Sequence, residues 1–223
     1  MGASAVPIKR AYKGAAMEGM LATWYARHTA KLAADFEAEA RRIVAHLLPR
    51  ARVLEVAPGP GYLAVELAKL GPYRITGLDI SHSFVRIASE HAARSGFDIE
   101  FRRGDAASMP FPDNTFDFIV CRAAFKNFAD PIEAMAEMHR VLNRDGAALI
   151  IDMRRDASNA SLKAAADGAR LGTVAALLTR LIFKQLRKRA YSSNDIQRMA
   201  ATTPFDTADI RETSIGFDIW LRK

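Results

Sequence analysis

Cysteine is almost absent from this sequence. The 223 residues contain one cysteine, Cys121, so no intramolecular disulfide is possible and the small disulfide-stapled secreted class is excluded. Cys121 ends a largely apolar run that begins at Phe116, and we interpret it as a buried small hydrophobic residue rather than a reactive thiol. The scarcity of cysteine therefore favours a reducing compartment.

Long hydrophobic runs are also missing. Residues 1–15 include basic side chains but no apolar core of the signal-peptide type. The longest apolar run late in the chain, residues 171–183, is interrupted by Arg180 and is too short to span a bilayer. We therefore expect a soluble, cytoplasmic protein.

Positive charge is in excess, with a net charge of +7, and it is concentrated between Arg180 and Arg189. Aromatic residues do not alternate with these cations, so a nucleic-acid partner is not indicated. The cluster is interpreted as a solvated helix face, although an anionic partner remains open. A peripheral membrane contact is compatible with the pattern but is not favoured by it.

Strand-like and helix-like segments alternate through the middle of the chain, which is typical of a parallel sheet covered on both faces. Strands are predicted at 52–57, 74–79, 99–103, 115–121 and 147–152, and helices at 62–70, 83–95 and 131–142.

The flanking segments are predicted to be helical, except for a final hairpin. Helices are expected at 18–29, at 30–48 before Pro49, over most of 162–189, and from a cap at Ser192 or Ser193 to residue 200. Strands at 208–213 and 217–221 would form an antiparallel hairpin at the sheet edge. We expect a single domain over 1–223, comprising a helical lid (1–49), a cofactor-binding core (50–153), and a helical insertion with the hairpin (154–223).

A glycine-rich turn between the first strand and its helix is the strongest functional signal. Gly59 and Gly61 carry no side chain to keep a ligand from the backbone, and Gly59 begins a G-x-G-x-x-A pattern. Asp79 follows 18 residues after Gly61 at the end of the second strand, where a carboxylate suits the two ribose hydroxyls of an adenosine. The alternative is that Asp79 caps the next helix, although Ser81 is better placed for that.

Two features argue against a dinucleotide in this turn. Glu55 lies inside the first strand, and a buried carboxylate beside the ligand suits a cationic group better than a pyrophosphate. Gly104-Asp105-Ala106 follows the third strand, with Met109-Pro110-Phe111 soon after. This acidic and apolar loop is suited to an adenine ring.

Together these segments resemble the class I S-adenosylmethionine-dependent methyltransferases, and most closely the small-molecule group that includes the ubiquinone and menaquinone C-methyltransferases. The resemblance runs from Val53 to about Asp152. Within that span, Phe116–Val120 and Glu137–Gly146 also match the family. It implies an α/β fold, namely a Rossmann-like, doubly wound, mostly parallel seven-stranded sheet with an antiparallel C-terminal edge hairpin and helical cap segments at both termini.

The resemblance also implies a cofactor site for S-adenosylmethionine. Glu55 and the backbone of Ala57, Gly59 and Gly61 would surround the methionine part, and Asp79 would hold the ribose. The remaining cofactor contacts would be Ile80 against the adenine, Asp105 and Ala106 at its edge, and Arg122 with Ala123 in the cleft near the methyl group.

The chain departs from the family at two places. Ala57 stands where the family usually has glycine, which is tolerable if Ala57 keeps a negative φ. Arg122–Phe128 replaces a stretch that often carries a histidine, so no histidine role is transferred to it.

The resemblance implies methyl transfer to a small-molecule acceptor by in-line displacement, which depends mainly on positioning and needs no metal. The candidates for a base are Tyr25 and His28 on the N-terminal helix, with Glu18 and His139 as weaker ones. Apolar residues within 162–189 suit either the core or the roof of a pocket for an apolar acceptor. Two other functions stay open: an NAD(P)-dependent reductase and a non-catalytic S-adenosylmethionine-binding module.

Overall fold

Helices and strands alternate along the computed structural model, which describes residues 12–13, 17–168 and 184–223. The helices are α1 (Gly19–Thr29), α2 (Ala33–Val44), α3 (Tyr62–Leu70), α4 (His82–Arg94), α5 (Pro131–Val141), α6 (Asn159–Gly168) and α7 (Ser193–Ala200). The strands are β1 (Arg52–Val56), β2 (Arg74–Asp79), β3 (Glu100–Arg103), β4 (Phe116–Arg122), β5 (Leu142–Met153), β6 (Thr207–Glu212) and β7 (Gly216–Arg222). Single 3₁₀ turns occupy Ala30–Leu32 and Phe125–Asn127.

The strands form one seven-stranded sheet in the order β3-β2-β1-β4-β5-β7-β6. The first five in this order are mutually parallel, whereas β7 runs antiparallel to both β5 and β6. The hairpin is therefore placed with its second strand inside and its first strand at the edge. This architecture confirms the predicted fold class.

Both faces of the sheet are buried, because successive side chains of each central strand point to opposite sides. In β1, Leu54 belongs to one core cluster and Val53 to the other. Side chains of α5 and α7 cover the first cluster, and side chains of α2, α3 and α4 cover the second. The two layers of helices leave the strand ends free to carry loops.

Most predicted boundaries agree with the structure to within a residue or two. The exceptions are the helix at 30–48 and the strand at 147–152, which begins five residues earlier, at Leu142. Residues 30–32 form a 3₁₀ turn, and α2 ends at Val44, before Pro49. Leu48 continues the apolar periodicity of the sequence, but it is 77% exposed. Because it does not pack against the core, no tertiary contact of its side chain stabilises another helical turn. Of the predicted helical stretch 162–189, residues 169–183 lie outside the described residues.

The cap expected at Ser192 or Ser193 is formed by Ser192. Its hydroxyl accepts a hydrogen bond from the Asp195 N–H, and the Asp195 carboxylate accepts one from the Ser192 N–H. This reciprocal capping box fixes the start of α7.

Gly61 at the start of α3 allows α4 and β3 to approach closely. Its φ is +75°, and a Cβ placed on it would lie 3.0 Å from Ala88 Cβ and 3.0 Å from Phe101 Cζ. The missing side chain therefore makes room for the protein's own core. This corrects the expectation that Gly61, like Gly59, is small in order to admit a ligand.

Gly61→Ala and Gly96→Ala form a matched pair that tests this packing. Gly96 has φ +79° and open space at its Cβ position, so its variant should lose only about 1–2 kcal/mol from the left-handed backbone. Gly61→Ala should lose about 1–3 kcal/mol more, because the core is overpacked. Urea unfolding measures both, and equal losses would contradict the packing role.

Candidate active site

The predicted site residues come together at the carboxyl-terminal edge of the parallel strands. Glu55 lies near the end of β1, Asp79 ends β2, and Arg122 ends β4. Since β1 pairs in parallel with both β2 and β4, the loops that follow these strands share one cleft. Ligands of open α/β sheets bind in this position.

The turn after β1 is left-handed at three positions. Ala57 has φ +56°, so the condition under which an alanine is easily tolerated there, a negative φ, is not met. Its N–H donates to the Leu78 carbonyl over 2.7 Å, and this bond holds the residue in a conformation that costs an alanine about 1–2 kcal/mol. Gly59 and Gly61 adopt positive φ values without that cost.

Gly59 is the point at which the turn opens towards the cleft. A Cβ placed there would meet only the Tyr25 ring, at 4.0 Å. The backbone is thus accessible from the side that Tyr25 covers. A ligand can approach the chain closely at Gly59, whereas Gly61 faces the core.

Asp79 is buried and supports the turn. One carboxylate oxygen accepts from the Gly59 N–H at 3.0 Å, and the other accepts from the Ser81 N–H at 2.9 Å. Burial raises the pKa of Asp79 to about 6, although these backbone donors oppose the shift. Ser81 is the N-cap of α4, since its hydroxyl accepts from the Phe84 N–H, so Asp79 is left to face the cleft.

Glu55 is the most unusual charge of the site. Its side chain is 3% exposed, and its Oε2 atom has no hydrogen-bond partner among the described residues. Burial raises the pKa of Glu55 to about 8, and the Arg122 guanidinium opposes the shift only in part. A buried carboxylate oxygen without a donor is costly, and a cationic ligand group is the chemistry that would satisfy it.

The loop after β3 lies beside the end of β2. Asp105 accepts a hydrogen bond from the Ala107 N–H at 2.9 Å, so one of its oxygens shapes its own turn. Ala106 packs against the core, and the carbonyl of the half-buried Ile80 accepts from Arg103 Nε. These residues thus lie in the loops after β2 and β3, and one Asp105 oxygen is already engaged within its own turn.

Helix α1 covers the turn and is attached to the start of α4. The Glu18 carboxylate accepts from the His82 and Ser83 N–H groups, each at 2.9 Å. The Ser81 hydroxyl donates to the Met17 carbonyl at 2.7 Å. Glu18 therefore anchors the lid and is not available as a base.

Of the two base candidates on α1, only Tyr25 faces the cleft. Its ring packs edge-on against Phe84, with centroids 5.7 Å apart, and burial raises its pKa. His28 is exposed, stacks on Trp24 with centroids 4.1 Å apart, and lies on the outer side of the helix. Tyr25 therefore remains a candidate base, whereas His28 lies away from the cleft.

His139 is also removed from the reaction. It lies near the end of α5, where the chain enters β5 at the opposite edge of the sheet, and its ring packs edge-on against Phe205. His139 is therefore not placed to act as a base in the cleft.

Arg122 lies at the end of β4. Its guanidinium stacks over the Phe36 ring at 4.5 Å from the centroid, which holds it in the field of Glu55.

A buried ion pair in the cleft wall was missed from the sequence. Lys126 Nζ lies 2.7 Å from Asp152 Oδ1, and the two side chains are 5% and 2% exposed. Asp152 also accepts from the Lys126 and Met153 N–H groups, and Lys126 donates to the Ala123 carbonyl. The pair ties the loop after β4, in which Ala123 has φ +59°, to the end of β5.

Tyr12 is a second residue that the sequence did not reveal. It forms an isolated bridge with Phe128, and burial raises its pKa while Arg189 opposes the shift. The bridge places Tyr12 beside the loop that follows β4.

The described parts of the chain contain neither a cluster of metal-binding side chains nor a helix suited to span a membrane. Over residues 12–13, 17–168 and 184–223, no three His, Cys, Asp or Glu side chains are grouped to hold a metal ion. In the same ranges, no helix has the length and apolarity needed to cross a bilayer.

Comparison with known proteins identifies the central segment. Residues 54–150 match the family model described as "Methyltransferase domain". The demethylmenaquinone methyltransferase of Deinococcus radiodurans is 38% identical over 122 residues, which are 54% of this chain and 50% of that protein. The chain thus matches about half the length of this curated relative.

Solved structures share the fold at low sequence identity. An S-adenosyl-L-methionine-dependent methyltransferase of Methanococcus maripaludis, described as putative, superposes with a TM-score of 0.78 at 21% identity and 95% coverage of both chains. A Haemonchus contortus phosphoethanolamine N-methyltransferase, solved with S-adenosylhomocysteine, gives a TM-score of 0.61 at 17% identity, covering 79% of this chain and 38% of that one. These matches show that the chain shares the fold of both proteins.

Lys126→Met should destabilise the protein by about 3–5 kcal/mol, because it leaves the buried Asp152 charge without its counterion. Lys126→Met/Asp152→Asn should recover part of that loss, since the charge is removed while the amide oxygen still accepts from one of the two backbone N–H groups. Chemical unfolding of the wild type, the two single variants Lys126→Met and Asp152→Asn, and the double variant measures this coupling. Additive losses would show that the pair is not coupled.

Proposed function

Because residues 54–150 match the model of a methyltransferase domain, we propose that this chain transfers a methyl group from S-adenosylmethionine to a small-molecule acceptor. The observation that carries the proposal is the pair of buried carboxylates, Glu55 and Asp79, on either side of the accessible Gly59 backbone. One carboxylate lacks a partner for a buried oxygen, and the other lies at a strand end.

Each carboxylate suits a different part of the cofactor. Asp79 would accept hydrogen bonds from the ribose hydroxyls while keeping its bonds to Gly59 and Ser81. Glu55 would offer its Oε2 atom to the ammonium of the methionine part. Ala57, Gly59 and Gly61 give the turn its shape, and Ile80, Asp105 and Ala106 would surround the adenine.

When bound, the cofactor supplies a methyl group that the sulfonium already activates, so the chain's task is to align and enclose the reactants. Tyr25 would cover the cofactor from α1, and its protonated hydroxyl would donate to an acceptor or to the cofactor carboxylate. Arg122 would contact the same carboxylate. The ion pair of Lys126 and Asp152 would hold the acceptor wall in one geometry.

For the acceptor we propose an apolar small molecule that is met in the cytoplasm. The apolar composition of residues 171–183 supports this. The name of the Deinococcus radiodurans relative, which acts on a demethylmenaquinone, points the same way.

Calorimetric titration with S-adenosylhomocysteine tests the proposal, with NADH titrated in parallel. We expect saturable binding of S-adenosylhomocysteine alone. Asp79→Asn should weaken it by at least about tenfold, since the ribose loses a charged acceptor. Asp209→Asn, an exposed position on β6, should bind like the wild type. Binding of NADH alone would instead establish the reductase.

The pH dependence of the same titration tests Glu55. Because its pKa is raised to about 8, the unliganded site holds a proton at neutral pH and must release it to bind an ammonium. Affinity for S-adenosylhomocysteine should therefore rise as the pH increases from about 6 to about 8. Titrations in buffers of different ionisation enthalpy should show proton release near pH 7 in the wild type and none in Glu55→Gln. Equal release from both would exclude Glu55.

A further inference from the structure

Helix α1 has an apolar and cationic face that contacts nothing else in the described chain. This outer α1 face consists of Met20, Trp24, Arg27 and His28 of the helix and Lys31 in the 3₁₀ turn that follows it, all exposed and each three or four residues from at least one other member. Such spacing places side chains on one side of a helix. The opposite side carries the buried Ala22 and Ala26.

Exposed hydrophobic side chains are clustered on and beside this face. Among the described residues, six large hydrophobic side chains are exposed, and four of them lie between positions 20 and 32: Met20 at 91%, Leu21 at 43%, Trp24 at 50% and Leu32 at 41%. Single exposed hydrophobic residues need no explanation, but a cluster marks an interaction surface.

The charge of the face identifies the partner. Helix α1 contains no acidic residue, and Arg27 and Lys31 extend from the same side as Met20 and Trp24. A convex single-helix face with a tryptophan, long apolar side chains and basic residues is typical of helices that lie in the interface of a bilayer.

We propose that the outer α1 face docks on the surface of an anionic lipid bilayer. Met20 and Trp24 insert below the headgroups, while Arg27 and Lys31 contact the anionic lipids. The inner side of the same helix carries Tyr25 over the Gly59 turn, so docking brings the mouth of the cleft to the membrane surface. The proposal concerns binding alone and can fail or hold independently of methyl transfer.

Trp24 provides the first readout. The other tryptophan, Trp220, is 6% exposed, so a change on docking reports on Trp24. Full-length protein should show a blue shift and increased fluorescence with vesicles of phosphatidylcholine and phosphatidylglycerol, and little change with phosphatidylcholine alone. An unchanged spectrum with the anionic vesicles would overturn the proposal.

Co-sedimentation with the same vesicles separates the two parts of the face. Arg27→Glu/Lys31→Glu should weaken binding to anionic vesicles by at least about thirtyfold, which corresponds to about 1 kcal/mol for each cation. The control Arg198→Glu/Arg211→Glu makes the same charge change at exposed arginines on α7 and β6 and should lose markedly less. Equal losses would mean that net charge alone drives binding, which would overturn the assignment to α1.

The apolar part has its own matched control. Met20→Ser should weaken vesicle binding several-fold. Leu48→Ser should not, because Leu48 is an exposed apolar residue that lies outside the outer α1 face. Unaltered binding of S-adenosylhomocysteine would show that Met20→Ser is folded. A dimer of the wild type that Met20→Ser abolishes, without vesicle binding by either protein, would assign the face to a second copy and overturn the proposal.

Discussion

The hydrogen bond from the Gly59 N–H to the Asp79 carboxylate is the constraint on which the rest of the site depends. It joins the turn after β1 to the end of β2, and the Ala57 N–H makes a second connection to the Leu78 carbonyl. With the turn held in this way, the backbone of Gly59 faces the cleft and Gly61 faces the core. The start of α3, the position of α4 and the surface that α1 covers all follow from that orientation.

Two buried carboxylates of the site, Asp152 and Glu55, differ in whether their oxygens have hydrogen-bond donors. Asp152 is fully satisfied by an ammonium and two backbone donors, so it acts as a structural charge. Glu55 keeps one oxygen without a donor, and the folded protein bears that cost. Low dielectric surroundings strengthen any interaction that completes such a group. The same burial that destabilises the unliganded site therefore makes it selective for a positively charged partner.

Local patterns were sufficient to predict much of this structure. Helix α3 and strand β2 were predicted with their observed bounds, because apolar periodicity and glycine punctuation coincide there. The position of Asp79 was predictable because a carboxylate at a strand end is fixed by its distance from the glycine turn. The end of α2 was not, since the apolar Leu48 is exposed rather than buried.

The missed parts of the site depend on tertiary contacts. Lys126 and Asp152 come together only when β4 pairs with β5, and Tyr12 reaches the cleft from a segment far away in sequence. The left-handed φ of Ala57 contradicts the preference of its residue type and is imposed by the neighbouring strand. No single-sequence pattern carries this information.

The position of β7 has a consequence for how the chain folds. This strand lies between β5 and β6. Since residues 154–215 separate β5 from β7 in the sequence, β5 has an open edge until that segment and β7 have been synthesised. Pairing across such a separation closes a long loop and is slow. Until β7 docks, the nascent chain presents an apolar parallel-sheet edge of the kind that recruits other strands. Aggregation during synthesis, rather than instability of the finished fold, is thus the hazard built into this topology.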